Sequence, residues 1–276
     1  MISSQEHMRY LKSFKNYILN KIDLIPDVAI ILGSGLMEFQ NDIEFKGEVS
    51  YSELAGFPTS TNENHNGKFI LGRVDNVNVI CMCGRVHYYE GYNMTDIIVP
   101  VRVMGLLGAK SLIVTNAAGG ISDYLNQGDL MLITDHISSF VNSPLVGPNF
   151  NELGVRFPDQ SCVYSKRLQK IAKRCAKNLG IELKEGVFLQ NSGPQYETPA
   201  EIRMFEILGA NAVGMSTTVE SLAATHMGME VCGISVITNK AAGKSSDKLD
   251  DSEVIETGKS ISEKFTKLVT SIVKSI

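Results

Sequence analysis

The sequence predicts an α/β fold: a single domain over residues 1–276 with a mixed, largely parallel central β-sheet flanked by helices. Three apolar runs support this prediction, and each ends in small residues: VAIILGSG at 28–35, LIVTNAAGG at 112–120 and VITNKAAG at 236–243. Parallel strands that are buried on both faces have such continuous Val/Ile/Leu runs. Because α/β sheets bind ligands at the carboxyl ends of their strands, we expect the functional site where these three runs end.

Composition favours one soluble domain and argues against several functions. The chain is 43% hydrophobic and 20% charged, which is enough to form a large core, and no linker or low-complexity tract divides it. A net charge of −4 argues against a nucleic-acid surface. No segment reaches the roughly 18 to 20 apolar residues of a membrane span, and the first residues lack a signal-peptide core. We therefore expect a cytoplasmic protein that binds neither nucleic acid nor a membrane.

The five cysteines are scattered and odd in number, which is unlike a disulfide framework. Cys81 and Cys83 alternate along a predicted strand and share one face of it. A metal pair would need two further ligands, and none is spaced to supply them. We therefore expect reduced thiols in a cytosolic protein and no metal site.

Apolar periodicity and turn residues predict the elements. Helices are predicted at 5–21, 94–107, 165–179, 200–208 and 219–227, and from Asp251 or Ser252 onward, with a kink or late start at Pro100. Strands are predicted at 28–32, 68–73, 77–83, 112–115, 130–134, 187–190, 212–214 and 231–238. Residues 116–120 are predicted to be a bare backbone loop, and 143–158 to be a long loop with a functional or interface role.

The first apolar run leads into Gly33-Ser34-Gly35, where backbone N–H groups can approach a ligand and Ser34 offers a hydroxyl. This is not a dinucleotide fingerprint, because the third glycine of that motif is replaced by Glu38. A plain tight turn explains these three residues equally well.

A dense polar cluster, GRVHYYEGY at 84–92, follows a predicted buried strand. Arg85 supplies a planar permanent cation suited to phosphate, while His87 and Glu90 supply titratable groups beside it. Each of these residues alone is more often ordinary surface, but together they favour a site.

The side chains at the strand ends fall into two sets. Hydroxyls, Arg85, His87 and free backbone N–H groups suit a phosphate. Glu197 and Asn239, with the aromatic Tyr196 and Phe188, suit a flat heterocycle that has both donors and acceptors. With Met215 and Tyr89 between them, the two sets suggest phosphorolysis of a nucleoside.

At this point the chain resembles the trimeric, low-molecular-mass purine nucleoside phosphorylases, from Pro26 to the last helix. The motifs that carry the resemblance are ILGSGL (31–36), GRVHYYEGY (84–92), TNAAGG (115–120), RFPD (156–159), GPQYETPAE (193–201), GMST (214–217) and ITNKAAG (237–243). Because several independent motifs occur in the right order, the resemblance is specific.

The resemblance implies the nucleoside phosphorylase fold and a role for each matching position. The implied phosphate ligands are Ser34, His65, Arg85, His87, the N–H of Ala117, and Ser216. The implied sugar contacts are Tyr89, Met215, Phe157 from the neighbouring subunit and, more loosely, Asp251. The implied purine contacts are Phe188, Tyr196, Glu197, Val213 and Asn239, and the implied catalytic residues are Asn239, His87 and Glu197.

The implied reaction is phosphate-dependent cleavage of purine nucleosides by a homotrimer with active sites at its subunit interfaces. Phosphate is a co-substrate, and no cofactor or metal is needed. By the family pattern, asparagine at 239 favours 6-oxopurines such as inosine and guanosine, whereas aspartate there goes with 6-aminopurines.

The chain departs from the family pattern at Asp251, where a histidine usually binds the 5′-hydroxyl. Our hypothesis is that Asp251, or a water, accepts that hydrogen bond, with Asp250 and Ser252 as alternatives. The rival functions are a xanthosine or methylthioadenosine phosphorylase on the same scaffold, and a noncatalytic nucleoside-binding domain.

Overall fold

The computed structural model describes residues 4–60, 67–245 and 249–276, and it contains nine strands and eight α-helices within these ranges. The strands are β1 (Val28–Ile31), β2 (Glu44–Ser50), β3 (Lys68–Val74), β4 (Val77–Cys83), β5 (Ser111–Gly120), β6 (Leu130–Ile137), β7 (Leu183–Gln190), β8 (Ala212–Gly214) and β9 (Glu230–Lys240). The helices are α1 (Ser4–Lys21), α2 (Met94–Ile97), α3 (Val99–Leu107), α4 (Lys166–Asn178), α5 (Pro199–Ile207), α6 (Thr218–His226), α7 (Asp251–Ser260) and α8 (Ser262–Lys274). No helix within the described ranges is both long enough and apolar enough to cross a membrane.

The nine strands form one mixed sheet in the order β2-β3-β4-β1-β5-β8-β7-β6-β9. The three strands that were predicted from their apolar runs are parallel: β1 pairs with β5, and β5 pairs with β9. The hairpin β3–β4 and the pairs β5–β8 and β6–β9 are antiparallel. The prediction of an α/β fold with a mixed, largely parallel sheet is thus confirmed.

Helices cover both faces of the sheet. Alternate residues of β1 show this, because Ala29 and Ile31 belong to one apolar cluster and Val28 and Ile30 to another. The first cluster includes apolar residues of α1, α3 and α6, and the second includes those of α4 and α8. The continuous apolar run of β1 is therefore explained by burial on both sides.

The central feature of the sheet is a split in the pairing of β5. On the side away from β9, β5 pairs with β1 up to Val114 and with β8 only from Gly119. In the described chain, no strand pairs with residues 115–118 on that side. Because β5 also joins β9, the strands β5, β8, β7, β6 and β9 close into a ring beside the open part of the sheet. Such a division of a sheet is where α/β proteins bind ligands.

Four local predictions were wrong or incomplete. Residues 116–120 are strand rather than loop, because they pair with residues 235–240 of β9. The strand β2 was not predicted; it is mostly exposed and has no apolar run. The last predicted helix is two helices, α7 and α8, which meet at Ile261. Residues 94–107 form the two helices α2 and α3. Pro100 lies in the first turn of α3, which agrees with the predicted late start.

Candidate active site

A cavity of about 330 Å³ lies at the split of β5. It collects residues that are separated by more than 200 positions in the chain, at the ends of β1, β4, β5, β7, β8 and β9. The lining residues that the sequence predicted are Ser34, Arg85, His87, Tyr89, Ala117, Tyr196, Glu197, Val213, Met215, Ser216 and Asn239.

One end of the cavity is built around the buried guanidinium of Arg85, which is 2% exposed. Its Nε donates to Glu220 Oε1 at 2.7 Å, and its two terminal nitrogens donate to Ser216 Oγ and to the carbonyl of Thr115, each at 2.9 Å. The Thr115 carbonyl is accessible to Arg85 because none of the described strands covers this side of β5. The fixed cation and the hydroxyl of Ser216 make this end suitable for an oxyanion.

Glu220 holds both Arg85 and the turn before α6. One carboxylate oxygen binds Arg85, while the other accepts the backbone N–H of Thr217 at 2.5 Å and so caps the helix. Thr217 has a φ of 90°, which is unusual for a β-branched residue, and it is fully buried. This conformation places Ser216 at the N-terminus of α6, where the helix dipole also favours negative charge.

The segment after β4 adds an imidazole to this end. His87 is 8% exposed, and the Glu90 carboxylate accepts its backbone N–H at 2.7 Å and lies 3.4 Å from its Nδ1. The ring of Tyr89 stacks on that of His87 with centroids 4.8 Å apart. The imidazole is thereby held in one orientation at the wall of the cavity.

The turn at Ser34 is also held closely. A Cβ added to Gly33 would lie 2.7 Å from Asn116 Cα, and one added to Gly35 would lie 3.1 Å from Gly258 Cα in α7. Gly35 also has a φ of 75°. Both positions thus require glycine, and Ser34 is fixed between β5 and α7.

The opposite end of the cavity carries a carboxylate and an amide. Glu197 is 8% exposed, and Asn191 Nδ2 donates to its Oε1 at 3.2 Å. Burial raises the pKa of the Glu197 carboxyl above its ordinary value, and the hydrogen bond from Asn191 opposes this shift. The amide of Asn239 is oriented by Thr238, which donates to its Oδ1 at 2.9 Å, and by the Lys240 carbonyl, which accepts from its Nδ2 at 2.9 Å.

The neighbouring helix α5 is capped at its start. Thr198 caps α5, Pro199 is its first residue, and Glu201 completes the capping box. The cap positions Tyr196 and Glu197 just before the helix. Met215 and Tyr89 line the cavity side by side, since a Cβ on Gly193 would meet the side chains of both.

Two of the predicted residues lie away from the wall of this cavity. Phe188 is fully buried beneath Gly214, where a Cβ would lie 3.0 Å from its ring. Phe157 is 86% exposed and lies along a separate groove of about 630 Å³. His65 and the side chain of Asp251 lie outside the described residues.

The sequence reasoning missed several residues of the site, most notably Glu220, Asn191 and Thr238. Leu249 and Val254 also line the cavity. A signal for Glu220 was present, because a glutamate three residues after Thr217 fits a capping box. No local pattern indicated Asn191.

The two cysteines of the predicted strand lie close together in the core. The sulfur atoms of Cys81 and Cys83 lie 3.7 Å apart and are buried. No group of three or more His, Cys, Asp or Glu side chains that could hold a metal ion was found among residues 4–60, 67–245 and 249–276.

Fold and site together define an α/β protein that can hold an oxyanion at one end of a cavity and a flat polar ring at the other. Comparison with known proteins gives the family. Residues 27–274 match the model of the phosphorylase superfamily. Purine nucleoside phosphorylase 1 of Geobacillus stearothermophilus is 47% identical over 260 residues, covering 94% of this chain and 95% of that protein. The purine nucleoside phosphorylase of Bos taurus is 41% identical, covering 94% and 92%.

The solved structures agree. A structure of Schistosoma mansoni purine nucleoside phosphorylase in complex with inosine has a TM-score of 0.91 to this chain at 35% identity, covering 97% of this chain and 96% of that one. The chain therefore belongs to the phosphorylase superfamily and, within it, to the purine nucleoside phosphorylases.

Replacement of Glu220 by Gln tests the ion pair. We expect Glu220→Gln to lower the free energy of unfolding by about 3 kcal/mol, because one partner of a buried ion pair is lost while an amide oxygen is kept. We also expect weaker binding of inorganic phosphate, measured by calorimetry, because Arg85 loses its charged partner and its guanidinium is positioned less firmly. The matched control is Glu206→Gln, which removes an exposed ion pair with Lys244 and should cost less than about 1 kcal/mol. Equal effects of the two variants would contradict the role of Glu220.

Replacement of Asn191 by Leu tests the control of Glu197. Asn191→Leu removes a donor to the ionised carboxylate, so the pKa of Glu197 should rise further and nucleoside binding should be lost at higher pH than in the parent. The pKa of Glu197 is higher in the folded than in the unfolded state, so its protonation as pH falls favours the folded state. The Tm should therefore not drop over the pH range in which nucleoside binding is lost. The pH dependence of nucleoside binding and of Tm is the measurement. Glu197→Gln should remove the loss of nucleoside binding at low pH. If Asn191→Leu loses nucleoside binding at the same pH as the parent, the role of Asn191 is refuted.

Proposed function

We propose that this chain cleaves the N-glycosidic bond of 6-oxopurine ribonucleosides and deoxyribonucleosides, such as inosine and guanosine, with inorganic phosphate. The products are the free purine and ribose or deoxyribose 1-phosphate. The observation that carries the proposal is one cavity with a fixed buried cation, Arg85, at one end and an oriented carboxylate and amide, Glu197 and Asn239, at the other.

The phosphate is held by Arg85, Ser216, Ser34, His87 and the N–H of Ala117. In this proposal His65 joins them. Glu220 pairs with the Nε side of Arg85 and fixes the guanidinium. The terminal nitrogens keep N–H groups that can donate to phosphate oxygens. The helix dipole at Ser216 adds to this attraction.

Attack by a bound phosphate oxygen on the anomeric carbon proceeds on the face opposite the base and inverts that carbon. No covalent intermediate with the protein forms. The rate arises from alignment of phosphate and nucleoside, and from stabilisation of the charge that moves onto the leaving purine. Tyr89 and Met215 contact the sugar between the two.

The purine is bound by its polar edge and its faces. The ionised Glu197 accepts from N1–H, and the amide of Asn239, which keeps a second N–H on Nδ2, donates to N7 as that atom gains electrons. Tyr196 and Val213 contact the ring, and Phe188 supports the floor of the pocket from below. Asn239 and Glu197, with His87 at the phosphate, are thus the catalytic residues of the proposal.

Phosphate is the co-substrate, and the proposed chemistry uses no cofactor or metal. We place the enzyme in the cytoplasm, which is supported by the five cysteines, all of which are free in the structure. No nucleic acid or membrane takes part.

An assay with and without phosphate tests the reaction. We expect free purine from inosine and guanosine only when phosphate is present, and much slower release from adenosine, xanthosine and methylthioadenosine. Preference for either of the last two would favour the rival phosphorylases, and binding without cleavage would favour a noncatalytic domain. In the same assay, kinetics of Asp251→Ala equal to those of the parent on inosine would refute the Asp251 hypothesis.

We further infer that the active form is a homotrimer in which Phe157 closes the sugar pocket of the neighbouring subunit. Support comes from the loop at 143–158, where Val146, Val155 and Phe157 are 75%, 66% and 86% exposed. Large apolar side chains left exposed on one loop are typical of an interface.

Light scattering and one pair of variants test the shared site. We expect the mass of a trimer, and a higher KM for inosine in Phe157→Ala because the sugar pocket is left open. The control is Ile207→Ala, which removes an equally exposed apolar side chain at the end of α5. A monomeric parent with full activity would contradict the shared site.

A further inference from the structure

A second, smaller cavity lies outside the active site. It has a volume of about 90 Å³ and is enclosed by α1, the α2–α3 junction, the end of α6 and the loop at 143–158. His7, Arg102, Phe150 and His226 contribute to its wall, and it shares no lining residue with the cavity at β5.

The charge in this cavity belongs to Arg102, which is 3% exposed. Its terminal nitrogen donates to the Ala223 carbonyl at 3.0 Å, but no carboxylate lies within 4.0 Å of the guanidinium in the part of the chain that the structure describes. Burial lowers the pKa of Arg102 to about 10, with no carboxylate to oppose it. Arg85, by contrast, has Glu220. A buried cation without a counter-charge is costly, so Arg102 calls for an anion.

Two imidazoles adjoin Arg102. His226 Nε2 donates to the Val155 carbonyl at 2.9 Å, while its buried Nδ1 has no hydrogen-bond partner among the described residues. The ring of His7 stacks on that of Phe150 with centroids 4.5 Å apart. Burial and then the charge of Arg102 lower the pKa of both histidines, and Asp96 partly opposes this at His7. Protonation of either histidine beside this cation is therefore disfavoured.

We propose that this cavity binds a small inorganic oxyanion of the phosphate or sulfate class, with Arg102 as its main ligand. The volume equals that of about three waters in the liquid, which is room for one tetrahedral anion but not for a nucleotide. Water could satisfy the N–H groups of Arg102, but only an anion neutralises its charge. The bound anion would tie α1, α3 and α6 to the loop that carries Phe157.

The direct test uses selenate as an oxyanion that can be located by anomalous scattering. Crystals of the full chain soaked in selenate should show a peak within hydrogen-bond distance of the Arg102 guanidinium, and Arg102→Met should lose this peak alone. This result does not depend on the proposed catalysis, which is tested by the phosphate requirement. An absent peak, or a carboxylate of a neighbouring copy seated on Arg102, would overturn the proposal.

A second variant guards against misfolding of Arg102→Met. His7→Glu supplies the missing carboxylate within the chain, so we expect a higher Tm in buffer without oxyanions, loss of the selenate peak at Arg102, and a smaller sulfate-dependent rise in Tm than in the parent. The control is Asn16→Glu, which makes the same charge change at an exposed position of α1 and should behave as the parent. If sulfate raises the Tm of His7→Glu as much as that of the parent, the anion binds elsewhere and the proposal fails.

Discussion

The buried ion pair between Arg85 and Glu220 is the interaction on which the active site depends. The ion pair joins the end of β4 to the start of α6, which are 135 positions apart in the chain. Arg85 also donates to the Thr115 carbonyl of β5. A lone guanidinium at this depth would be costly, and a lone carboxylate equally so. Each makes the other tolerable, and together they hold the unusual backbone of Thr217 and present Ser216 to the cavity.

The split of β5 explains why the ion pair can form there. Between Val114 and Gly119 no described strand pairs with one side of β5, so its backbone groups there are available to side chains and ligands instead of to another strand. Backbone groups left inside a protein need partners. Arg85 satisfies Thr115, and the adjoining small residues leave room for a ligand over the strand.

Much of the fold was predictable because its signals are local. The apolar runs at 28 and 112, and the cap formed by Thr198, Pro199 and Glu201, depend on residues near one another in the chain. The extension of β5 through Gly120 was not predictable, because alanine and glycine form a strand there only through pairing with β9. The edge strand β2 likewise lacks an apolar run, and the helix break at Ile261 has no proline beside it.

The site was predictable to the extent that its chemistry lies in compact motifs. Arg85 and His87 stand out within GRVHYYEGY, and Glu197 within GPQYETPAE. Glu220 and Asn191 act on those residues rather than on a ligand, and their roles depend on which side chain the fold places beside them. Such supporting contacts are invisible until the elements are assembled.

Gly35 and Gly258 show a further consequence of that assembly. Since their backbones touch with no side chain between them to yield, a displacement of α7 must push directly on the turn that carries Ser34. Helix α7 also places Val254 in the wall of the cavity. Helix α7 and the turn at Ser34 are therefore mechanically coupled. A substrate that shifts α7 on entry will change the position of Ser34 relative to the bound anion.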